Sequence, residues 1–295
     1  MTEMNNIDRL HSPKVMKDIL SKYGFRFSKG LGQNFLIDGN ILDKICDGIN
    51  LGKEDEVIEI GPGIGTLTQA LAERSKKVVA IEIDKKLIPI LGDTLSSYDN
   101  VEIVNSDVLK LDLNELIEEK FENKKVKLAA NLPYYITTPI IMKLLEDKVN
   151  LESIIVMVQK EVAERMQASP GTKAYGALSI AVQYYCNPEI VTIVPKNVFI
   201  PKPNVDSAVI RLDVYDKPKV KVKDEKLFFN VVKGAFSHRR KTLLNSLSAS
   251  GIGVSKDQIK DMLDNLGIKE NIRGEKLSIE DMGRLSDMIY ELNNK

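Results

Sequence analysis

Short runs of Val, Ile, Leu and Ala punctuate the chain up to residue 215. Val57–Ile60, Val78–Ile83, Val101–Val104, Lys127–Ala130, Ser153–Val158, Val191–Val194 and Ala208–Val214 read as strands, being short, apolar and bounded by polar or turn residues. Between them, apolar positions three and four apart predict helices near 66–75, 85–96, 112–121, 138–148, 160–168 and 177–186. Strands alternating with helices imply βαβ units, hence a seven-stranded, mostly parallel sheet covered on both faces. Only a proline-rich loop separates the last two strands, which predicts an antiparallel hairpin at one sheet edge.

After Lys217-Pro218 the strand pattern stops, and helices are predicted over 224–249, 255–266 and 278–293. Ser278 with Asp281 three residues later reads as the cap of the last one. The expected organisation is an α/β domain over 1–215, with an N-terminal helical extension, and a small all-helical domain over 216–295.

Length and composition agree with two ordinary globular domains: 295 residues, 43% hydrophobic and 28% charged. Two cysteines, Cys46 and Cys186, and two histidines exclude a disulfide framework and a His-rich metal site, so no metal is expected. The first residues form no apolar signal segment and no apolar run approaches ~18 residues, which predicts a cytoplasmic protein outside the membrane.

Charge changes the picture more. Lys and Arg number 42 and Asp and Glu 42, a balance that argues against a general nucleic-acid binder. Split by segment, the balance conceals a pattern. Residues 1–34 carry 6 basic against 3 acidic groups, residues 35–130 carry 12 against 19, and residues 201–250 carry 11 against 5. An acidic block thus lies between two basic ones. A charge run is most often a solvated face, but Arg239, Arg240 and Lys241 in the second basic block are candidates for phosphate contact.

Glu59-Ile-Gly61-Pro-Gly63-Ile-Gly65-Thr66 follows the first strand and opens a helix, as a turn that brings backbone close to a ligand does. The sixth position is Thr66, so the spacing is G-x-G-x-G, that of methyltransferases binding S-adenosylmethionine, rather than the dinucleotide G-x-G-x-x-G. Glu82 ends the second strand, 21 residues after Gly61, where a carboxylate can hold ribose hydroxyls. Asp107 follows the third strand, within reach of an adenine amino group. Glu59 would repel a pyrophosphate and suits a cationic sulfonium.

Asn131-Leu132-Pro133-Tyr134 follows the fourth strand. An exocyclic amine is a poor nucleophile because its lone pair is delocalised into the ring. Asn131 Oδ1 and the Leu132 carbonyl can accept its two hydrogens and aim the nitrogen, while Pro133 stiffens the turn and Tyr134 offers a stacking face. Phe199, in Phe199-Ile-Pro201-Lys-Pro203-Asn-Val205-Asp-Ser207, is the candidate for the opposite wall of an aromatic cleft. A base bound there must first leave its stack.

Together with Gly30-Leu-Gly-Gln33-Asn34-Phe35-Leu36, these motifs resemble, in order and spacing over essentially the whole chain, the ribosomal RNA adenine dimethyltransferases. Gln159–Arg165 and Phe236–Asn245 are similar to the KsgA/RsmA branch, although His238 stands where Gln is common. The resemblance implies a Rossmann-like class I S-adenosylmethionine-dependent fold. It also implies dimethylation at N6 of two adjacent adenosines in the 3′-terminal hairpin of small-subunit (16S) rRNA, a role in ribosome biogenesis, and a monomer acting on the small ribosomal subunit. Gln33, Asn34 and Leu36, which by themselves read as a loop, are implied to bind the cofactor with Glu59, Gly61, Gly63, Glu82, Asp107 and Asn131. The alternative within the family is the macrolide-resistance branch, acting on large-subunit (23S) rRNA. Outside it stand a nicotinamide dehydrogenase, disfavoured by Thr66, a DNA adenine methyltransferase, and a non-catalytic assembly factor.

Overall fold

The computed structural model describes residues 9–27, 32–121, 125–238 and 240–294. The chain divides into two compact units, residues 1–163 with 189–214, and residues 164–188 with 215–295.

The first unit opens with α1 (Pro13–Lys22), β1 (Phe35–Leu36) and α2 (Gly39–Gly48). Asp38 caps α2, its Oδ1 accepting from Asn40 N at 2.9 Å. Then come β2 (Glu56–Ile60), α3 (Thr66–Ala72), β3 (Lys77–Glu82), α4 (Ile88–Thr94), β4 (Val101–Asn105), α5 (Leu113–Phe121), β5 (Val126–Asn131), α6 (Tyr134–Glu146) and β6 (Leu151–Gln159). After α7 (Lys160–Gln167) and α8 (Ala177–Tyr185), the sheet is completed by β7 (Cys186–Val194) and β9 (Ser207–Val214), with the short β8 (Phe199–Ile200) between them.

The seven strands lie in the order β4-β3-β2-β5-β6-β9-β7. The five from β2 to β6 run parallel and β9 runs antiparallel to β6. The apolar runs are explained by burial on both faces: Val57, Ile58, Val78, Val79, Leu128, Ala129, Ile154 and Ile155 are all fully buried. The expected hairpin strands, β7 and β9, are neighbours at one edge.

The second unit contains α8, α9 (Glu225–Phe236), α10 (Leu243–Ser248), α11 (Lys256–Asn265) and α12 (Ile279–Asn293). Residues 164–188, assigned from sequence to the α/β domain, group with these helices for an aromatic reason. Tyr184 stacks on Phe228 at 5.0 Å, and Tyr185 donates to Glu225 Oε1 at 2.7 Å. The single helix expected over 224–249 is instead two. Helix α9 stops at Phe236, where Ser237 Oγ donates back to Gly234 O at 2.8 Å, and Thr242 starts α10 by accepting from Asn245 N. The polar stretch between has no apolar face to bury. Ser278 and Asp281 form the reciprocal cap anticipated for α12, at 3.0 and 3.1 Å.

Candidate functional site

Strand order creates the site. The chain leaves β2 toward β3 and β4, then returns to the other side of β2 as β5, so a crevice opens where the direction reverses. Ile60 pairs with Ala130 across β2 and β5. Gly61 and Asn131, one residue further along each strand, therefore lie beside each other at the carboxyl edge.

The glycine loop requires its glycines. Gly61 and Gly63 have φ of 73° and 62°, a left-handed backbone that side chains disfavour. A Cβ on Gly63 would lie 3.0 Å from the Phe35 ring, so the loop is also sterically closed on that side. Phe35 is itself held by Phe27, with ring centroids 5.2 Å apart, and Phe25, at 6.2 Å, which ties the N-terminal segment to the loop.

Three carboxylates ring the loop. Glu59 is 1% exposed, and its Oε2 has no hydrogen-bond partner among the described residues. Burial pushes its carboxyl up to about 8, and the nearby Glu82 charge acts in the same direction. Glu82 ends β3 and is also raised by burial, against the N–H of Asp84, which donates to its Oε1 at 2.7 Å. Asp107 sits two residues past β4, its Oδ1 accepting from Leu109 N at 3.0 Å.

Asn131 is the last residue of β5 and Tyr134 the first of α6, so the Asn131–Tyr134 motif is a strand-to-helix turn. The helix begins four residues earlier than its apolar spacing suggested, because Pro133 supplies the extended N-cap and bars helix only before itself. Asn131 Nδ2 points to Asn34 O at 3.4 Å, Asn34 Nδ2 donates to Gly32 O at 3.0 Å, and Gln33 Nε2 donates to Asp84 Oδ2 at 3.2 Å. The stretch that sequence alone left as a loop is drawn in by the pairing of β1 with β8. Phe35 faces Ile200 and Leu36 faces Phe199 in that ribbon. Two residues per strand are too few to announce a strand in sequence. Gly30 and Leu31 of the same motif lie outside the described residues.

One cleft holds all of this. It encloses about 1190 Å³ of atom-free space, partly open to solvent, and its wall includes Gln33, Asn34, Leu36, Glu59, Gly61, Gly63, Glu82, Asp107, Asn131, Leu132, Pro133, Tyr134 and Phe199. Among the described residues its acidic lining consists of Glu59, Glu82 and Asp107, with no Lys or Arg. An acidic wall, an unsatisfied buried carboxyl oxygen on Glu59 that can ionise beside a cation, and a loop open to close backbone approach fit a cationic adenosyl ligand and oppose a pyrophosphate. Phe199 also belongs to the core, 3% exposed beside Leu36, Met157 and Val209.

Sequence reasoning passed over Ile83 and Tyr135, which line the cleft while 52% and 59% exposed. Each directly follows a motif residue, and an apolar side chain just past a strand-ending acid or helix-opening tyrosine was the available signal. The phosphate candidates Arg240 and Lys241 are exposed between α9 and α10; Arg239 lies outside the described residues. Part of the other basic block is already engaged: Arg9 pairs with Glu73 at 2.9 Å and Lys22 with Asp93 at 2.6 Å. Among the described residues, no group of three His, Cys, Asp or Glu side chains could hold a metal ion, and no helix is long and apolar enough to cross a membrane.

Comparison with known proteins agrees with this geometry. A ribosomal RNA small subunit methyltransferase A from Alkaliphilus oremlandii is 61% identical over 281 residues, 95% of this chain and 98% of that protein. A dimethyladenosine transferase structure from Plasmodium falciparum superimposes with a TM-score of 0.72 at 28% identity, covering 88% of this chain and 98% of its own. The 23S rRNA methyltransferase ErmE does so at 0.67 and 26% identity, covering 87% and 99%. The family described as ribosomal RNA adenine dimethylase matches residues 24–291, the span that carries the glycine loop, both acidic strand ends and the Asn131–Tyr134 turn, and the chain belongs to that family.

Proposed function

We propose that this chain transfers methyl groups from S-adenosylmethionine to N6 of two adjacent adenosines in the 3′-terminal hairpin of small-subunit rRNA, giving N6,N6-dimethyladenosines. The observation that carries the reading is that an acidic pocket for a cationic adenosyl ligand and a turn suited to an exocyclic amine share one cleft. The choice of subunit rests on the extent of identity to the small-subunit relative, 61% against 26% for the 23S rRNA enzyme.

Glu82 and Gln33 would hold the ribose side of the cofactor, Asp107 its adenine, and Gly61, Gly63, Glu59, Asn34 and Leu36 the remainder. Bound S-adenosylmethionine supplies a methyl group activated by its sulfonium. Asn131 Oδ1 and the Leu132 carbonyl accept the two N6 hydrogens of adenine, which rotates the lone pair toward the cofactor side and fixes the nitrogen in line. Pro133 limits the turn to one conformation, and Tyr134 stacks on the base once it has left its helix, with Phe199 forming the far wall. No strong base is needed, because the amine proton becomes acidic as the new N–C bond forms and can pass from Asn131 to water. Action on the small subunit would place the chain in the cytoplasm, with a role in subunit maturation.

Labelled-methyl transfer to undermethylated small subunits, followed by mapping of the modified nucleotides, tests the reading. Label on two adjacent adenosines of the 3′ hairpin is expected. Label confined to large-subunit RNA would replace it with the macrolide-resistance activity.

A further inference from the structure

The motif from Phe199 to Ser207 ends on a residue to which the proposed chemistry gives no task. Ser207 opens β9, is fully buried, and is fixed in register opposite Gln159 on β6. Its hydroxyl lies 2.7 Å from the Tyr134 hydroxyl, across 73 residues of sequence. Tyr134 is the first residue of α6 and half-buried, and it lines the cleft, so its ring belongs to the site while its hydroxyl points back into the sheet.

A tyrosine at the first position of a helix has no preceding turn of its own helix to lean on. Its χ1 and χ2 are set by what it touches elsewhere. For base stacking the direction of the ring's long axis matters as well as its presence, because a ring swung to one side turns the amine away from in-line attack. A 2.7 Å hydrogen bond to a hydroxyl on a paired strand fixes the far end of that axis, and with it χ1, against the sheet.

We propose that Ser207 is a positioning residue for the target base: its hydroxyl holds the long axis of the Tyr134 ring in the direction that the cleft requires. The inference rests on the reading of the cleft as a base-methylating site. Ser207 is not part of the cleft wall and acts through Tyr134.

The test is a double-mutant cycle of Ser207→Ala, Tyr134→Phe and the pair, assayed on undermethylated small subunits. Loss of one neutral hydrogen bond in the reacting complex predicts a fall in kcat of roughly fivefold in each single variant. The double variant falls no further, since the same bond is already gone. Tm falls only by the few degrees that one lost buried hydrogen bond costs, while KM for the subunit and the calorimetric Kd for S-adenosylmethionine stay close to wild type, a split that a purely structural role would not produce. An unchanged kcat in Ser207→Ala, multiplying losses in the double variant, or a loss that vanishes at temperatures well below Tm or that tracks cofactor affinity would overturn the inference. Tyr134→Phe probes the bond from the helix side, so the comparison with wild type survives even if Ser207→Ala folds poorly. No transfer by the wild-type chain would remove the underlying reading and this inference with it; wild-type transfer with an unaffected Ser207→Ala removes the inference alone.

Discussion

Glu59→Gln is expected to make the cofactor-free protein more tolerant of rising pH while weakening cofactor binding. The carboxyl is 1% exposed and burial raises it from 4.5 to about 8. Because the folded state holds the proton more tightly than the unfolded one, the stability associated with that proton is fully present below pH 4.5. It declines as pH rises and is lost once pH has passed about 8. At pH 7 the unfolded chain has released the proton and the folded chain still keeps it. The gap between 7 and 4.5, at about 1.4 kcal/mol per pH unit, makes this cost about 3 kcal/mol. A neutral glutamine at the same position carries no such dependence. Any cost of burying its amide is constant with pH, so the slope and not the offset is diagnostic. Chemical denaturation of both proteins without cofactor, from pH 4.5 to 8, should therefore show the variant gaining about 3 kcal/mol on wild type by pH 7. A cationic ligand placed beside Glu59 reverses the preference and draws the proton off. Calorimetry of S-adenosylmethionine binding in two buffers of different ionisation enthalpy should show proton release near pH 7 in wild type and none in Glu59→Gln. Parallel stability curves for the two proteins would refute the assignment of Glu59 as a buried, raised carboxyl.

Asn131→Ala should lower turnover on the order of a thousandfold, as loss of the amine acceptor removes in-line positioning, while calorimetric cofactor affinity changes little; near-normal turnover would discard the amine-accepting role. Gly63→Ala combines a φ of 62° with a Cβ 3.0 Å from Phe35, so thermal unfolding should report a loss of about 2 kcal/mol, accompanied by weaker cofactor binding. Neutralising Arg240 and Lys241 to Gln should reduce the slope of log affinity for small subunits against log salt by about 1.5 to 2, with methylation at saturating substrate preserved; an unchanged slope would return both to a solvated face.

The seven main strands, the helices between them and the Ser278 cap were legible because each depends on local periodicity or on side chains three residues apart. Most of the cleft was legible for a related reason. The parallel strands of a doubly wound sheet all end at the same edge, so Glu59, Gly61, Glu82, Asp107 and Asn131 could be gathered from the ends of β2 to β5 alone. What escaped were pairings between segments far apart in the chain. The β1–β8 ribbon joins residues 35–36 to 199–200 with two residues on each side, too short for any periodic signal. Residues 164–188 look like a continuation of the α/β pattern, yet the Tyr184–Phe228 stack and the Tyr185–Glu225 bond draw them into the helical unit. The break after Phe236 was hidden because a polar run reads as one exposed helix face until its caps are seen.

By itself the sequence determined the alternating α/β architecture, the acidic character of the cofactor side and the order of the motifs along the chain, since these follow from composition, period and spacing. Only the tertiary structure decided that Glu59 is sealed from water with an unsatisfied oxygen, that Phe199 is both cleft wall and core, and that Ser207 reaches Tyr134. Burial, ionisation and side-chain orientation depend on which distant segments close over a residue, and that closure is a property of the packed fold rather than of any local stretch of chain.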